Sequence, residues 1–297
     1  MTCGPAKFVF FLMVLVTSLP LGAQTLDAPD ADKGFTEIET FQGTLNSDSK
    51  LLKLDSMAGY DFNKHFGVFA GLPIYFSSVS GTSTSGTTTS GNSSAGLGNF
   101  YLGLAFRAPN PALNYGSTIT LGAPTGSTKK GFSSGRGTLD WSNHFDRSFS
   151  RFTPFLDAGL GNTVPDSLRV TRPFTSLGAV GHFEEGAECE LVHHFALGGS
   201  AYEITPFGNQ KVFSKLVQPG QTRTTTGKSH GVFENSFESS GNGLTRENGV
   251  STWVAFQPSQ IWRAELGYTR SVTFALNSFT FNLGLNVGKM LHTSKTQ

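Results

Sequence analysis

The stretch FTFNLGLNVG, Phe279 to Gly288, sets Phe279, Phe281, Leu283, Leu285 and Val287 at odd positions. Thr280, Asn282, Gly284, Asn286 and Gly288 take the even ones. In a chain that is 37% hydrophobic, such unbroken alternation arises by chance on the order of once in a thousand windows. A period of two is a β-strand with two unlike faces, one large and greasy, the other small and wettable. What each face touches decides the fold.

The same pattern recurs upstream. FGVFAGLPIYF puts Phe66, Val68, Ala70, Leu72, Ile74 and Phe76 on one face, with Gly67, Phe69, Gly71, Pro73 and Tyr75 on the other. FYLGLAF sets Phe100, Leu102, Leu104 and Phe106 against Tyr101, Gly103, Ala105 and Arg107. WRAELGYTR sets Trp262, Ala264, Leu266 and Tyr268 against Arg263, Glu265, Gly267 and Thr269. LDWSNHF opposes Leu139, Trp141 and Phe145 to Asp140, Ser142 and His144. Helical stripes and caps are almost absent after residue 24, so the chain reads as all-β. A soluble β-sandwich or a solenoid would also alternate, but its polar face is typically rich in Lys, Glu and Thr. Here that face holds Gly, Ala, Ser, Asn and isolated charges, which suits an enclosed interior. Several greasy faces end in aromatics, as the interfacial girdles of membrane barrels do. The expectation is an antiparallel up-and-down transmembrane β-barrel, with lipid on one side and a lumen on the other.

The N-terminus supports export. Lys7 precedes the apolar run FVFFLMVLV, Phe8 to Val16, and TSLPLGA ends in Ala23. That order predicts a signal peptide over residues 1–23, cleaved before Gln24, and residues 24–297 form the barrel domain. The apolar run is too short for a spanning helix, which needs about 20 apolar residues. Losing the signal removes Lys7 and no acid, so 22 cations against 21 anions become 21 against 21. A neutral chain offers no basic footprint for nucleic acid. Charged residues are 14%, well below the roughly 25% usual in soluble domains. After the signal only Cys189 remains, which excludes an internal disulfide and reads as a small apolar residue.

Short turns are read at residues 63–65, 108–112, 146–150, 184–186 and 258–260. Long Ser/Thr/Gly-rich loops are read at 77–98 and 204–248. Short turns at one end and long loops at the other are the asymmetry of outer-membrane barrels. Strands follow near 51–62, 66–77, 98–107, 114–123, 137–146, 153–162, 174–184, 187–202, 249–257, 261–270 and 279–289. Eleven strands would start the barrel from outside the cell. Parity therefore demands another, and FTEIETFQ, Phe35 to Gln42, is the candidate. The expected count is twelve, within a range of ten to fourteen, and a further hairpin could lie within 204–248. The last strand is read as running on through Lys289, Met290 and Leu291, followed by a tail in place of a terminal aromatic residue.

The segment GLGNFYLGLAFRAPNPALNYGSTITLGAPTGS, Gly96 to Ser127, resembles the outer-membrane family associated with the meta-cleavage pathway of phenol degradation. Gly96-Leu97-Gly98-Asn99, a greasy strand, a short turn, a second strand and Pro124-Thr125-Gly126 stand in the family's order. Asn99 departs from its usual acidic residue. The likeness is strongest over 96–162. It implies an outer-membrane barrel that passes small organic solutes; the barrel class itself, apart from the resemblance, implies membrane lipid and barrel-assembly machinery as partners.

Catalytic and cofactor motifs are weak. GAPTGSTKKG, Gly122 to Gly131, lacks the Gly-Lys-Ser/Thr order of a phosphate loop and reads as an outward loop. His193 and His194, as strand neighbours, point to opposite faces and cannot share a metal. No His-x-Ser signature supports an outer-membrane hydrolase, which stands third among the functions considered. No cofactor and no enzyme activity are expected. Alternation assigns Lys53, Asp55, Asp61, Arg107, Asp140, His144, Asp157, Glu190, His194, Arg263 and Glu265 to the lumen as candidate pore-lining residues. Opposed charges there would set solute choice. In the contrasting reading they form a salt-bridged plug in a non-conducting structural or surface-interaction barrel.

Overall fold

The computed structural model describes residues 34–45, 49–79, 83–84, 87–88, 92–216, 238–241 and 244–293. The expected signal peptide and parts of both long loops lie outside them. Twelve wall strands follow one another: β1 (Gly34–Leu45), β2 (Ser49–Asp61), β3 (Phe66–Val79), β4 (Asn92–Leu97 continued by Tyr101–Ala108), β5 (Asn114–Gly122) and β6 (Thr138–Asp146). The circuit continues with β7 (Phe152–Gly161), β8 (Val180–Val192), β9 (Phe195–Pro206), β10 (Glu247–Phe256), β11 (Trp262–Ser271) and β12 (Leu276–Asn286). Each pairs antiparallel with the next, and β1 returns to β12 in a register running from Thr36 opposite Asn286 to Leu45 opposite Asn277. Closure leaves no sheet edge, as a bilayer requires. The strand FTEIETFQ, placed by parity, is the one that closes the ring.

The polarity of the wall is inverted relative to a soluble protein. On β12, Phe279 is 52% exposed, whereas Asn282 on the opposite face is fully buried. Leu104, Ile119, Trp141, Val254 and Leu266 are likewise exposed. Ring pairs encircle the short-turn end: Phe35 with Tyr60, Phe66 with Phe106, Tyr115 with Phe145, and Phe256 between Phe195 and Trp262. Glu37, Glu39 and Glu185 interrupt the outward face, and Glu39 accepts a hydrogen bond from the Ser56 hydroxyl at 2.8 Å. Cys189 also falls on the outward side, opposite Phe152 and Leu197 in its neighbours.

The lumen-side glycines are explained by what leans over them. A Cβ at Gly71 would lie 2.3 Å from the Tyr101 ring, one at Gly103 would lie 1.9 Å from Phe69, and one at Gly198 would lie 2.0 Å from Trp253. Small residues on one strand make room for large inward rings on the next.

Three expectations need correction. Residues 184–186 are not a turn but part of the continuous strand β8, because Glu184 points inward and finds the Ser200 hydroxyl at 2.5 Å. The turn lies at His193–His194, where His194 takes φ 72°, so neither histidine sits on a wall strand. The last strand stops at Asn286, whose side-chain oxygen accepts the Lys289 N–H at 2.9 Å. That cap starts a short helix, Val287–Thr293.

If the outward face meets lipid, an arginine at its middle costs far more than on a wet surface. Leu266→Arg on β11 is expected to destabilise the barrel by about 2–4 kcal/mol in urea unfolding from phospholipid vesicles. A cost within about 0.5 kcal/mol, usual for a soluble surface, would contradict the lipid-facing assignment.

Candidate functional site

The lumen is occupied by the chain itself. Between β7 and β8, residues 162–179 fold into the barrel. Their Phe174–Leu177 pairs with Gln210–Ser214, which pairs in turn with Glu238–Gly241. The latter two come from the 204–248 loop, whose described part thus contributes two arms of an inner sheet. Phe174, Val170, Val164 and Val212 share an apolar cluster with wall residues Val180, Ile204 and Leu276. The 123–137 loop, which includes most of the Gly122–Gly131 stretch read as an outward loop, leaves the wall at the long-loop end and bends back over the lumen. Phe132 is 2% exposed and stacks on Tyr75 at 5.3 Å. Gly131 at φ 70° lies so close to the Ser214 backbone that no side chain fits there.

Residues 165–172 make the polar seam with the wall. Gln42 donates to the Ser167 carbonyl at 2.7 Å, Thr44 to that of Thr171 at 2.5 Å, and Asn282 to that of Leu168 at 3.4 Å. The wettable face of β12 and β1 therefore meets backbone rather than an open bore. Unpaired loop carbonyls would be costly here, and Thr, Gln and Asn side chains satisfy them. Arg172 pairs with Glu247 at 3.0 Å and donates to the Pro165 carbonyl at 2.6 Å. Arg169 pairs with Glu265 at 3.1 Å, approaches Glu184 at 3.8 Å and lies 3.6 Å over the Trp253 ring.

Asp166 is the third anchor. It receives Tyr75 at 2.8 Å and Lys215 at 3.3 Å, with Lys53 at 4.0 Å, and Lys53 also pairs with Asp55 at 3.1 Å. Burial alone would raise the Asp166 carboxyl, but Lys215 and Lys53, with the Arg172 N–H and the Tyr75 hydroxyl, hold it down at about 2. Burial conversely lowers Lys215 to about 8, against the attraction of Asp166.

Beside this seam a cavity of about 460 Å³ remains, between residues 163–168 and strands β2 to β6. Phe69, Tyr75, Tyr101, Phe132 and Phe174 supply ring surface to it, Thr118, Thr120, Thr138 and Ser142 hydroxyls, and Lys53, Asp55 and Asp140 charge.

Of the residues assigned to the lumen from sequence, Lys53 and Asp55 belong to the Asp166 cluster, and Asp61 pairs with Arg107 at 2.6 Å. Asp140 contacts His182 at 3.0 Å. His144 lies between Asp157 at 2.8 Å and Asp146 at 3.3 Å. Arg263 pairs with Glu188 at 2.7 Å and Glu265 meets the loop. Glu190 shares the inward parity of Glu188 near the short-turn end. His194 does not join them, since its ring contacts the Gln257 carbonyl in a turn. Sequence reasoning missed Asp166, Arg169, Arg172, Lys215 and Trp253. NTVPDSLRVTRP, Asn162 to Pro173, does not alternate, and its two arginines and one aspartate were the available signal.

Acids outnumber bases on the inner side. Among the described residues stand Asp55, Asp61, Asp140, Asp146, Asp157, Asp166, Glu184, Glu188, Glu190, Glu247 and Glu265. Against these eleven are six: Lys53, Arg107, Arg169, Arg172, Lys215 and Arg263.

The chain matches no protein-family model, and no curated protein is similar to it in sequence. Solved structures are similar to it. The COG4313 outer membrane channel from Pseudomonas putida F1 is similar over 89% of this chain and 99% of that one, at 11% identity and TM-score 0.56. The NanC porin covers 84% of this chain and 99% of its own at 6% identity and TM-score 0.47. The toluene transporter TodX of Pseudomonas putida covers 87% and 89% at 9% identity and TM-score 0.41.

The Asp166 anchor predicts a pH response. Its folded value lies below the unfolded 3.8, so its contribution is full above that pH and is lost as pH falls through about 2. Lys215 acts in the same direction at the alkaline end, since its folded value also lies below its unfolded one. Between about 8 and the unfolded 10.5 only the unfolded chain keeps its proton, so docking strengthens across that interval. Trp253 emission, which senses Arg169, is expected to change between about pH 4 and 2. Asp166→Asn should flatten that acid limb, and an unchanged limb would remove Asp166 from the anchor.

Proposed function

We propose that this protein is an outer-membrane channel for passive passage of small organic solutes, and that residues 162–179 set its narrowest section. The observation that carries the reading is a closed transmembrane barrel whose lumen keeps a cavity of about 460 Å³ beside an inward-folded segment. A wall sealed for stability alone has no need of a chamber faced by rings, hydroxyls and opposed charges. The barrel shape shared with the Pseudomonas putida F1 channel supports it, as does the resemblance of Gly96–Ser127 to the meta-cleavage-associated family. In this reading the inward set Lys53, Asp55, Asp61, Arg107, Asp140, His144, Asp157, Glu190, Arg263 and Glu265 borders the path. A cleaved signal peptide, membrane lipid and the barrel-assembly machinery complete the proposed route to the outer membrane.

A second reading has its own observation. Arg169 and Arg172 pin the segment to β10 and β11 and Asp166 pins it to β2 and β3, as a permanent plug would be pinned. The two readings separate in a planar bilayer. The channel reading expects stepwise conductance from refolded residues 24–297, with cations favoured over anions in a salt gradient because of the acid excess. Asp157→Asn, whose side chain is 32% exposed, should weaken that preference measurably. A heat-modifiable barrel that never conducts would favour the plug.

A further inference from the structure

The surroundings of Arg169 form a receptor for a cation, independent of the cavity described above. Trp253 is 2% exposed, and its indole N–H donates to Glu188 at 2.8 Å. That bond fixes the ring plane, while Gly198 leaves room behind it, since a Cβ there would collide with the ring. One carboxylate, Glu265, has a fully buried side chain, and another, Glu184, is held by the Ser200 hydroxyl. An oriented aromatic face flanked by two fixed carboxylates is the chemistry that binds guanidinium and ammonium groups.

Its occupant is the guanidinium of Arg169, stacked 3.6 Å from the ring centre and bonded to Glu265. Arg169 belongs to the inward segment rather than to the wall. The site is not sealed, because the Arg169 side chain keeps 19% of its exposure and that of Glu184 keeps 24%. The wall could have met this segment through neutral hydrogen bonds alone, as Gln42 and Thr44 do. At this point it instead presents a face and two carboxylates, of which Glu265 is shared with the wall residue Arg263 at 3.7 Å and Glu184 is not.

We infer that Trp253, Glu265 and Glu184 constitute a binding site for small organic cations, and that Arg169 is its tethered resident. A free guanidinium or alkylammonium solute competes with Arg169 for the indole face, and its binding frees the neighbouring stretch of residues 165–172 from the wall. The acid excess of the lumen concentrates such solutes near the site. The inference extends the proposed function by naming a solute class. The binding itself needs no conduction.

The chain has three tryptophans, so Trp141→Phe with Trp262→Phe leaves Trp253 as the sole tryptophan, excited at the red edge of its band where tyrosine does not absorb. In detergent, this parent and its Arg169→Ala derivative are titrated with guanidinium chloride, with sodium chloride at equal ionic strength as control. The expected result is a saturable change in emission for Arg169→Ala, with at least tenfold higher affinity than in the parent. Adding Glu265→Gln should abolish it. Arg169→Met, which keeps the bulk, provides the same comparison if the alanine variant fails to refold. The inference is overturned if guanidinium and sodium act alike, or if Glu265→Gln leaves the affinity unchanged. Arg169 is then a structural tether only. Guanidinium binding in a barrel that never conducts in bilayers would sink the channel reading and leave the site standing. Conduction without binding would do the reverse.

Discussion

Everything in this fold follows from the pairing of β1 with β12. A bilayer interior offers no water to an unpaired N–H or C=O, so a sheet can cross it only when the last strand meets the first. Thr36 to Leu45 against Asn286 to Asn277 supplies that closure. Once closed, the sheet has an outside and an inside, and alternation assigns side chains to them without further choice. Phe279 and Phe281 go outward on the same strand that sends Thr280 and Asn282 inward.

Closure creates a second problem at the centre. Eight strands enclose a space that wall side chains can fill, and sixteen leave an aqueous channel. Twelve fall between, and here the chain spends residues 162–179 and two arms of the 204–248 loop on the interior. Such a segment brings its own backbone groups and charges into a confined space. Thr44, Gln42 and Asn282 take the carbonyls. Glu247 and Glu265 take the arginines, and Lys53 with Lys215 takes Asp166. Buried ion pairs add little net stability against an apolar alternative, but they are demanding of geometry. That fits a segment held in one register rather than merely packed.

The wall was legible in the sequence because its rule is local. Period two needs only neighbours, so Phe66–Phe76 and Phe279–Leu285 announce their faces unaided. Even β1, poorly alternating at Glu37 and Glu39, was recoverable from a global rule, since an exported barrel needs an even count. The interior was not legible, because its contacts are single and distant. Gln42 meets Ser167 across 125 positions, and Thr44 meets Thr171 across 127. No window of sequence contains both partners. Glu184-Glu185-Gly186 misled for a related reason. Two adjacent acids look like a solvated turn until the fold puts Ser200 and Arg169 beside the first.

The charge pattern follows from the same division of labour. Each arginine of the inserted segment requires a carboxylate waiting on the wall, so Glu247, Glu265 and Glu184 answer residues that arrive from outside the sheet. The wall on its own is therefore more acidic than the filled lumen. Any movement of residues 165–172 out of the barrel uncovers anionic side chains and an indole face together. Position of the segment and charge of the lumen are coupled through those pairs. In the channel proposed above, a lumen that opens in this way becomes more favourable to cations as it opens, so its selectivity is tied to the contact that closes it.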